Sequence, residues 1–392
     1  MKNVVILGST GSIGVNAVAA VRNLGKGWRV LGLAANSSVA ALRAQVRELR
    51  PLYVSLFDYK AWQELKADPP KGVKLLPPGV EGLVALASLK EADIVLSAVT
   101  GAVGFAPLLA AIRASKQIAL ANKEPMVMAG ELLVKEAQRW QAALIPVDSE
   151  PSAIFQCLAG IKPGRYDEAL SRVFLTASGG PFYAKKGSLA GVTPAQALKH
   201  PRWSMGPKIT VDSATLMNKG LEAIEIMNLF SLPVSKIQVL VHPQSVVHSG
   251  VEFRDGSVLA QLSRPDMKLP IQYALTWPER APSLAEPLDF FKLARLDFMK
   301  PDFRRFPCLE LALEAARRGG ACPAALSAAN EVAVERFMAG RLRFTGIPAV
   351  VENVLAACRG NTSKLTLAGA VEADAWARQK AADAADRICN KR

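Results

Sequence analysis

The sequence predicts an α/β protein in which a doubly wound parallel sheet is followed by an α+β region and a C-terminal α-helical bundle. Short runs of β-branched and aliphatic residues alternate with helical patterns over residues 1–150, as is typical of βαβ units. This rhythm changes after residue 150, and Ala, Arg, Glu and Leu dominate the chain from about residue 309 onward. A chain of 392 residues is long enough for about two or three domains.

The first predicted strand, residues 4–7, runs directly into the loop GSTGSIG (8–14) and then into a helical pattern. Glycines let a phosphate approach the backbone, and the helix N-terminus offers free N–H groups with a partial positive charge. The spacing is GxxGxxG and not GxGxxG, so a tight turn without a ligand is the alternative. Further strands are predicted at 29–34, 53–57, 94–98, 117–121 and 143–146. Together they predict a Rossmann-like domain.

The second predicted strand indicates which dinucleotide would bind. It ends in Asn36-Ser37-Ser38, where an NAD site usually carries an acidic residue for the ribose 2′-hydroxyl. This small, uncharged turn leaves room for a 2′-phosphate and favours NADP. The basic residue expected to bind that phosphate is not evident, because Arg43 lies a turn or more away.

Two later strand ends carry charged side chains. One continues as Asn122-Lys123-Glu124 and the other as Asp148-Ser149-Glu150. Carboxylates two residues apart just past a strand can turn onto one hard divalent cation. A solvated acidic loop is the alternative interpretation.

The α+β region contains three further features. Ser178 lies in the turn ASGGPF (177–182), whose backbone amides could bind an anion. In the loop HPRWSMG (200–206), Trp203 and Met205 either fill a core or form a mobile flap over a ligand. A helix is predicted at 152–158, a short helix at 193–199, and strands at 171–176, 237–241, 246–253 and 258–262, the last two joined by an Asp255-Gly256 hairpin.

The stretch ITVDSATLMNKGLEAIE (209–225) combines a hydroxyl, an amide, an ammonium and a carboxylate. Residues 208–211 resemble a strand, and Ser213 would then be the N-cap of the following helix. Asn218, Lys219 and Glu222 share one face of that helix, where they could bind a phosphate and a divalent metal. A capped surface helix with a Lys/Glu pair is the alternative.

The amino-acid composition limits the classes of ligand and the cellular compartment that we expect for the protein. The net charge is +14, from 48 Lys and Arg against 34 Asp and Glu, but the basic residues are scattered without interleaved aromatics. We therefore expect phosphorylated small molecules and no nucleic acid. No apolar run approaches the roughly 20 residues of a membrane helix, and the N-terminus has no signal-type segment. Five dispersed cysteines without a CxxC predict reduced thiols, and the cytoplasm is the expected compartment.

The C-terminal part is predicted to be helical. Residues 278–310 hold several prolines and no sustained periodicity, which indicates a connecting arm. Helices are predicted at 309–317, 324–338, 348–357 and 371–389. The predicted division is a nucleotide-binding domain (1–150), a catalytic domain that binds metal and substrate (151–277), the arm (278–310) and a helical domain (311–392).

Ten motifs, in order along nearly the whole chain, resemble those of the 1-deoxy-D-xylulose 5-phosphate reductoisomerase family. They are LGSTGSIG (7–14), ANKE (121–124), PVDSE (146–150), SAIFQCL (152–158), TASGGPF (176–182), HPRWSMG (200–206), VDSATLMNKGLE (211–222), HPQSVVHS (242–249), FPCLEL (306–311) and AANEVAV (328–334). The resemblance implies an NADPH- and divalent-metal-dependent homodimeric enzyme. Its expected reaction rearranges and reduces 1-deoxy-D-xylulose 5-phosphate to 2-C-methyl-D-erythritol 4-phosphate in the non-mevalonate isoprenoid pathway.

The resemblance also implies roles for individual residues. The metal ligands would be Asp148, Glu150 and Glu222, and the bound ion Mg²⁺, Mn²⁺ or Co²⁺. Glu150, Lys123 and Asp148 would be catalytic, and Trp203 and Met205 would form the flap. The expected NADPH contacts are Thr10, Gly11, Ser12, Ile13, Asn36, Asn122, Glu124 and Gly206. The expected substrate contacts are Lys123, Ser149, Glu150, Ser178, His200, Ser213, Asn218, Lys219 and Glu222.

Three positions depart from the family pattern. Pro125 follows ANKE and Pro151 follows DSE, and both prolines restrict the backbone beside the expected metal site. The third departure is the turn Asn36-Ser37-Ser38, which lacks the lysine that some members carry there. Two rival functions remain open at this stage. One is a semialdehyde dehydrogenase with Cys157 as nucleophile, and the other is a non-catalytic NADP-binding sensor or scaffold.

Overall fold

The computed structural model describes residues 1–203, 205–282, 284–359 and 365–390, which form two compact units. The first unit comprises Met1–Pro125, Leu133–Phe155 and Asp266–Pro287. The second comprises Met126–Leu132, Gln156–Pro265 and the described part of Leu288–Arg392. None of the helices described is both long and apolar enough to cross a membrane.

A parallel sheet of seven strands forms the centre of the first unit, counted over its described residues. The strand order is β4-β3-β2-β1-β5-β6-β7, so the chain reverses direction across the sheet beside β1. Val4, Val5, Ile6 and Leu7 are fully buried, which is why this strand reads as a continuous apolar run. The strands are β1 (Lys2–Leu7), β2 (Trp28–Ala35), β3 (Tyr53–Leu56), β4 (Lys74–Leu75), β5 (Ile94–Ser97), β6 (Gln117–Leu120) and β7 (Ala143–Pro146).

The doubly wound sheet predicted from the sequence is therefore confirmed, with small shifts at the strand ends. Sequence reasoning missed β4, because two residues are too short for a hydrophobic period.

The second unit contains a mixed sheet, which confirms the predicted α+β character. Its order is β11-β10-β8-β9, with β8 parallel to β9 and antiparallel to β10. The hairpin predicted at Asp255-Gly256 joins β10 to β11, and Gly256 has the positive φ of 85° that this turn needs. The strands are β8 (Leu170–Ala177), β9 (Ile237–Val241), β10 (Val247–Phe253) and β11 (Val258–Leu262).

Helices cover the parallel sheet and build most of the C-terminal part. They are α1 (Ser12–Leu24), α2 (Val39–Leu49), α3 (Tyr59–Ala67), α4 (Gly79–Ala87), α5 (Phe105–Arg113), α6 (Glu124–Arg139), α7 (Ser149–Cys157), α8 (Tyr166–Ala169), α9 (Pro194–Ala197), α10 (Pro207–Ala214), α11 (Met217–Leu229), α12 (Lys268–Thr276), α13 (Phe290–Leu293), α14 (Pro307–Arg318), α15 (Cys322–Met338), α16 (Gly346–Ala357) and α17 (Leu367–Asn390).

The predicted C-terminal helical bundle is confirmed. Helix α15 packs against α14, α16 and α17, and its Ala-rich surface lets these neighbours approach closely. Within its described residues, the arm predicted at 278–310 contains the short helix α13, a single bridge from Val241 to Met299 and, from Pro307 onward, the first turn of α14. The four-part domain division stays a prediction.

One local prediction was wrong. Residues 208–211 belong to helix α10 and not to a strand, and Ser213 lies near the end of that helix rather than capping the next one. Gly206 is extended and Pro207 occupies the first turn, so the helix begins before the β-branched run. Packing overrides the strand propensity of that run, because Val211 is fully buried. Helix α11 instead begins after Leu216, whose left-handed φ of 60° interrupts the helical conformation between α10 and α11.

The two unusual prolines both lie in first turns of helices. Pro125 is the second residue of α6, and Pro151 is the third residue of α7. Backbone N–H groups at these positions have no acceptor within the helix. Neither proline therefore removes an intrahelical hydrogen bond.

Candidate active site

The glycine loop between β1 and α1 borders a cavity of about 460 Å³ in the first unit. A Cβ on Gly8 would lie 2.5 Å from the carbonyl oxygen of Ala98, and one on Gly14 would lie 2.2 Å from the carbonyl oxygen of Gly8. Gly8 also has a φ of 88°, so side chains are excluded at both positions. Ser9 fixes the loop to α2, since its hydroxyl donates to Gln45 Oε1 at 2.7 Å.

The predicted cofactor residues of this loop fall at the cavity or beside it. Thr10, Gly11 and Asn36 line the cavity, while Ser12 and Ile13 form the first turn of α1. The other lining residues are small or apolar and none is charged. Arg43 is not among them, and its guanidinium pairs with Asp68. The lining thus contains no cation for a 2′-phosphate.

Asn122, Lys123 and Glu124 follow β6 and are almost completely buried. The Asn122 side-chain amide donates to Glu124 Oε2 at 2.6 Å and to the carbonyl oxygen of Gly101 at 3.3 Å. Asn122 Oδ1 is buried and has no hydrogen-bond partner among the described residues. An amide held in this way presents an unused acceptor, which a ligand with an N–H group could satisfy.

Asp148, Ser149 and Glu150 join β7 to α7. The Lys123 ammonium forms an ion pair with Asp148 Oδ2, and both side chains are largely buried. The Ser149 hydroxyl donates to Glu150 Oε2 at 2.6 Å, and its backbone N–H donates to Asp148 Oδ1 at 3.1 Å. The first unit therefore places Lys123 against Asp148 and Ser149 against Glu150, and the predicted binding of a cation by these carboxylates stays a prediction.

Ser178 and His200 contact each other in the second unit, with 2.9 Å between the hydroxyl oxygen and Nε2. His200 Nδ1 accepts the backbone N–H groups of Arg202, at 3.2 Å, and of Trp203, at 2.9 Å. Two donors at Nδ1 place the proton of the neutral ring on Nε2, which then donates to Ser178. The sequence spacing alone did not predict this contact.

The turn that carries Ser178 also meets helix α10. A Cβ on Gly180 would lie 2.5 Å from the carbonyl oxygen of Ser213, and Gly180 has a φ of 69°. The Gly180 backbone N–H donates to Ser178 Oγ at 3.2 Å. The two predicted phosphate-binding serines thus lie on adjoining segments.

The predicted flap residues precede helix α10. The Trp203 ring lies 6.3 Å from the His248 ring, and both Trp203 and Met205 are half-buried. Ser204 lies outside the described residues. Gly206, predicted to contact NADPH, is the extended residue that begins α10.

Helix α11 brings together the remaining predicted side chains. Glu222 is fully buried, and its two carboxylate oxygens lie 2.5 Å from Asn218 Nδ2 and 2.5 Å from Lys219 Nζ. The i,i+4 and i,i+3 spacings account for this shared contact. Burial excludes the solvated Lys/Glu pair that was the alternative interpretation.

Three family models match the chain, and all three describe the same enzyme family. A 1-deoxy-D-xylulose 5-phosphate reductoisomerase model covers residues 4–130, and the C-terminal domain model of the same family covers 144–230. A second model, described as the DXP reductoisomerase C-terminal domain, covers 262–380. The 1-deoxy-D-xylulose 5-phosphate reductoisomerase of Elusimicrobium minutum is 53% identical over 381 residues, covering 97% of this chain and 96% of that protein.

The chain belongs to the 1-deoxy-D-xylulose 5-phosphate reductoisomerase family. The enzyme of that name from Thermodesulfovibrio yellowstonii is 51% identical and covers 97% of this chain and 98% of its own length. A crystal structure of DOX-P reductoisomerase in complex with NADPH, fosmidomycin and magnesium is 40% identical, with a TM-score of 0.93 and 98% coverage of both chains. The resemblance inferred from the ten motifs is thereby confirmed.

A second interaction in this reductoisomerase fold, besides the contact of Ser178 with His200, was not predicted. Asp212 is only 1% exposed. It forms an ion pair with Lys208 at 2.8 Å and accepts a hydrogen bond from Asn330 Nδ2 at 2.7 Å. Asn330 lies in the motif AANEVAV on α15 and is completely buried. A polar residue in an Ala-rich buried helix was the available signal, but its partner lies 118 residues away in sequence.

Cys157, which would be the nucleophile if the protein were a semialdehyde dehydrogenase, is not activated for that role. Burial raises the pKa of its thiol to about 11. The thiol therefore stays protonated near neutral pH, whereas a nucleophilic cysteine reacts as the thiolate. The family assignment and this pKa both count against the semialdehyde dehydrogenase.

Proposed function

We propose that the protein catalyses the NADPH-dependent rearrangement and reduction of 1-deoxy-D-xylulose 5-phosphate to 2-C-methyl-D-erythritol 4-phosphate. This reaction belongs to the non-mevalonate route to isoprenoids. The observation that carries the proposal is the buried cluster of Asn218, Lys219 and Glu222 in a member of this family. A buried ammonium and carboxylate cost folding energy, and a sugar phosphate with a metal ion gives them a function.

The first unit has the features that NADPH binding requires. The cavity beside Gly8 and Gly11 leaves the backbone open to a pyrophosphate, and α1 begins at that point. The unused Asn122 Oδ1 acceptor suits the carboxamide N–H of a nicotinamide ring. Thr10, Ser12, Ile13, Asn36, Glu124 and Gly206 complete the proposed NADPH contacts.

A divalent cation would be held by Asp148, Glu150 and Glu222. Oxygen donors of this kind suit Mg²⁺, Mn²⁺ and Co²⁺ alike. The solved relative at a TM-score of 0.93 is described with magnesium, which supports the first of these. When bound, the ion supplies Lewis acidity toward the substrate oxygens and NADPH supplies the hydride.

The remaining residues have separate tasks in binding and proton transfer. Ser178, Ser213, Asn218 and Lys219 would grip the phosphate group, with His200 orienting Ser178 through their hydrogen bond. Lys123 and Glu150 would exchange protons with the substrate hydroxyls, assisted by Ser149, whose hydroxyl already donates to Glu150. Trp203 and Met205 would close over the substrate and exclude water, so that phosphate binding energy assists catalysis.

We further propose a homodimer in the cytoplasm, acting on a small phosphorylated sugar and not on nucleic acid. The five cysteines are all free thiols, which suits a reducing compartment. The scattered positive charge suits small anions better than a nucleic-acid backbone.

The decisive experiment measures NADPH consumption with 1-deoxy-D-xylulose 5-phosphate after chelation and again after Mg²⁺, Mn²⁺ or Co²⁺ is restored. Chelation should abolish turnover while NADPH binding, followed by cofactor fluorescence, persists. NADPH binding without turnover of any sugar phosphate in the presence of metal would instead favour the sensor or scaffold.

The metal assignment is tested with Glu222→Gln. This variant should lose turnover and metal affinity, while Glu372→Gln, an exposed glutamate on α17, should behave as the parent enzyme. Full activity of the metal-free enzyme would contradict the assignment of the three carboxylates.

A further inference from the structure

A second cavity, of about 180 Å³, lies in the second unit among residues that have no role in the proposed reaction. Leu189, Phe306 and Phe344 give it apolar walls, and Arg304 and Arg305 also line it. The motif FPCLEL, which the proposed reaction does not use, begins at Phe306. Apolar walls combined with cationic side chains are typical of a site for a ligand with both characters.

The electrostatic environment of the cavity is positive. Within the described ranges, neither Arg304 nor Arg305 forms an ion pair with a carboxylate, and the Arg305 guanidinium donates only to the backbone oxygen of Lys185. Asp302 Oδ1 accepts the backbone N–H groups of both arginines, at 3.1 Å each, and so offsets part of this charge. Helices α14 and α16 both begin at the cavity and add their partial positive ends.

Cys308, at the inner wall of this cavity, adds no negative charge. Burial raises the pKa of its thiol to about 12. The thiol is therefore neutral at physiological pH. The Asp212 carboxylate, which also raises this pKa, pairs with Lys208 at 2.8 Å, so the two arginines still give a balance of charge that favours an anion.

The cavity also reaches the turn between α10 and α11. Thr215 lines it, and the Thr215 hydroxyl donates to the Asp212 carbonyl oxygen at 3.1 Å and accepts the Met217 N–H at 3.3 Å. These two bonds enclose Leu216, whose φ is 60°. The turn sets the position of Ser213 relative to Lys219, so a ligand in contact with Thr215 acts on both proposed phosphate contacts.

We propose that this cavity binds a small amphiphilic anion, with a phosphate or carboxylate head at the two arginines and a short aliphatic tail between the apolar walls. The volume of 180 Å³ corresponds to roughly six waters at about 30 Å³ each, which limits the tail to about five carbons. Binding changes the affinity of the α10–α11 segment for the sugar phosphate. This second statement rests on the proposed function.

Binding is tested first, by calorimetry with isopentyl phosphate. The Lys219→Ala enzyme is used beside the parent, so that occupancy of the proposed substrate site is recognised separately. Arg304→Gln and Arg305→Gln should each weaken binding about tenfold, whereas Arg254→Gln, an exposed arginine on the β10–β11 hairpin, should not. Inorganic phosphate and isopentanol should each bind at least about tenfold more weakly, since each offers only half of the required chemistry.

A variant that keeps both arginines controls for the possibility that the arginine variants lose binding because they misfold. Leu189→Phe narrows the cavity and should weaken isopentyl phosphate binding without changing the affinity for NADPH. Unchanged affinity in Arg304→Gln, Arg305→Gln and Leu189→Phe would overturn the site, as would inorganic phosphate binding as tightly as isopentyl phosphate. The carboxylate arm uses 3-methylbutanoate and separates the two head groups.

Coupling is tested by turnover. Saturating isopentyl phosphate should change KM for the sugar phosphate at least about threefold in a pattern that is not competitive, and Thr215→Val should remove this effect while binding persists. Ligand binding with no change in KM would overturn the coupling. Absence of turnover in the parent enzyme would count against the proposed function and leave the binding result standing.

Discussion

The buried hydrogen bond between Asn330 and Asp212 yields the sharpest prediction. It joins α15 to the residue that directly precedes Ser213, so Asn330 is a positioning residue for the proposed phosphate site. Replacing Asn330 by Ala removes the donor and leaves Asp212 Oδ1 without it, while Lys208 still pairs with Oδ2 at 2.8 Å. The expected consequences are a less stable protein and weaker substrate binding.

The expected loss in the free energy of unfolding follows from the burial of both side chains. Asn330 is 0% and Asp212 1% exposed, so water does not replace the lost donor. A hydrogen bond to a charged group contributes about 1.5–3 kcal/mol. The truncated amide leaves a cavity of roughly 40 Å³, which adds about 1 kcal/mol at about 24 cal/mol per Å³. The free energy of unfolding should fall by about 2.5–4 kcal/mol.

Urea unfolding followed by circular dichroism measures this change, and steady-state kinetics measures KM and kcat. Asn353→Ala is the matched control, because the exposed Asn353 amide donates only within its own helix, to Ala349 at 3.0 Å. The control should stay within about 0.5 kcal/mol of the parent. KM of Asn330→Ala should rise more than kcat falls, a pattern that a merely structural contact would not give. A loss of stability below about 1 kcal/mol, or an unchanged KM, would refute this reasoning.

Three further predictions concern other parts of the chain. Ser37→Lys should tighten NADPH binding but not NADH binding, because the cavity lining contains no cation for a 2′-phosphate; equal effects on both cofactors would disprove this. Gly14→Ala should abolish NADPH binding in fluorescence titration, since the new Cβ would lie 2.2 Å from the Gly8 carbonyl oxygen; retained affinity would contradict it. Burial lowers the pKa of His242 below 6.5, so on acidification the unfolded state takes up the proton before the folded state does. The contribution of His242 to the free energy of unfolding is therefore fully present above about pH 6.5 and decreases as the pH drops below that value. His242→Gln should flatten this slope in urea titrations between about pH 5 and 7.5, and an unaltered slope would exclude His242 as its source.

The parallel sheet could be predicted because its signals are local. Strands buried on both faces read as unbroken apolar runs, and glycine loops mark where helices begin. Helix α10 could not be predicted in this way, because Ile209, Thr210 and Val211 have strand propensity while the fold buries them in a helix. Leu216 shows the same limit, since its φ of 60° arises from the packing of α10 and α11 and not from its own preference.

The same distinction between local signals and long-range contacts applies to the residues of the candidate site. Residues that share a helix, such as Asn218, Lys219 and Glu222, were grouped correctly because helical spacing alone places them on one face. The contact of Asn330 with Asp212 spans 118 residues, and no local spacing encodes it. The same holds for the orphaned Asn122 Oδ1, since whether an acceptor is satisfied depends on every group around it. Sequence motifs therefore identify which residues carry the chemistry, while the folded structure identifies the residues that hold them in position.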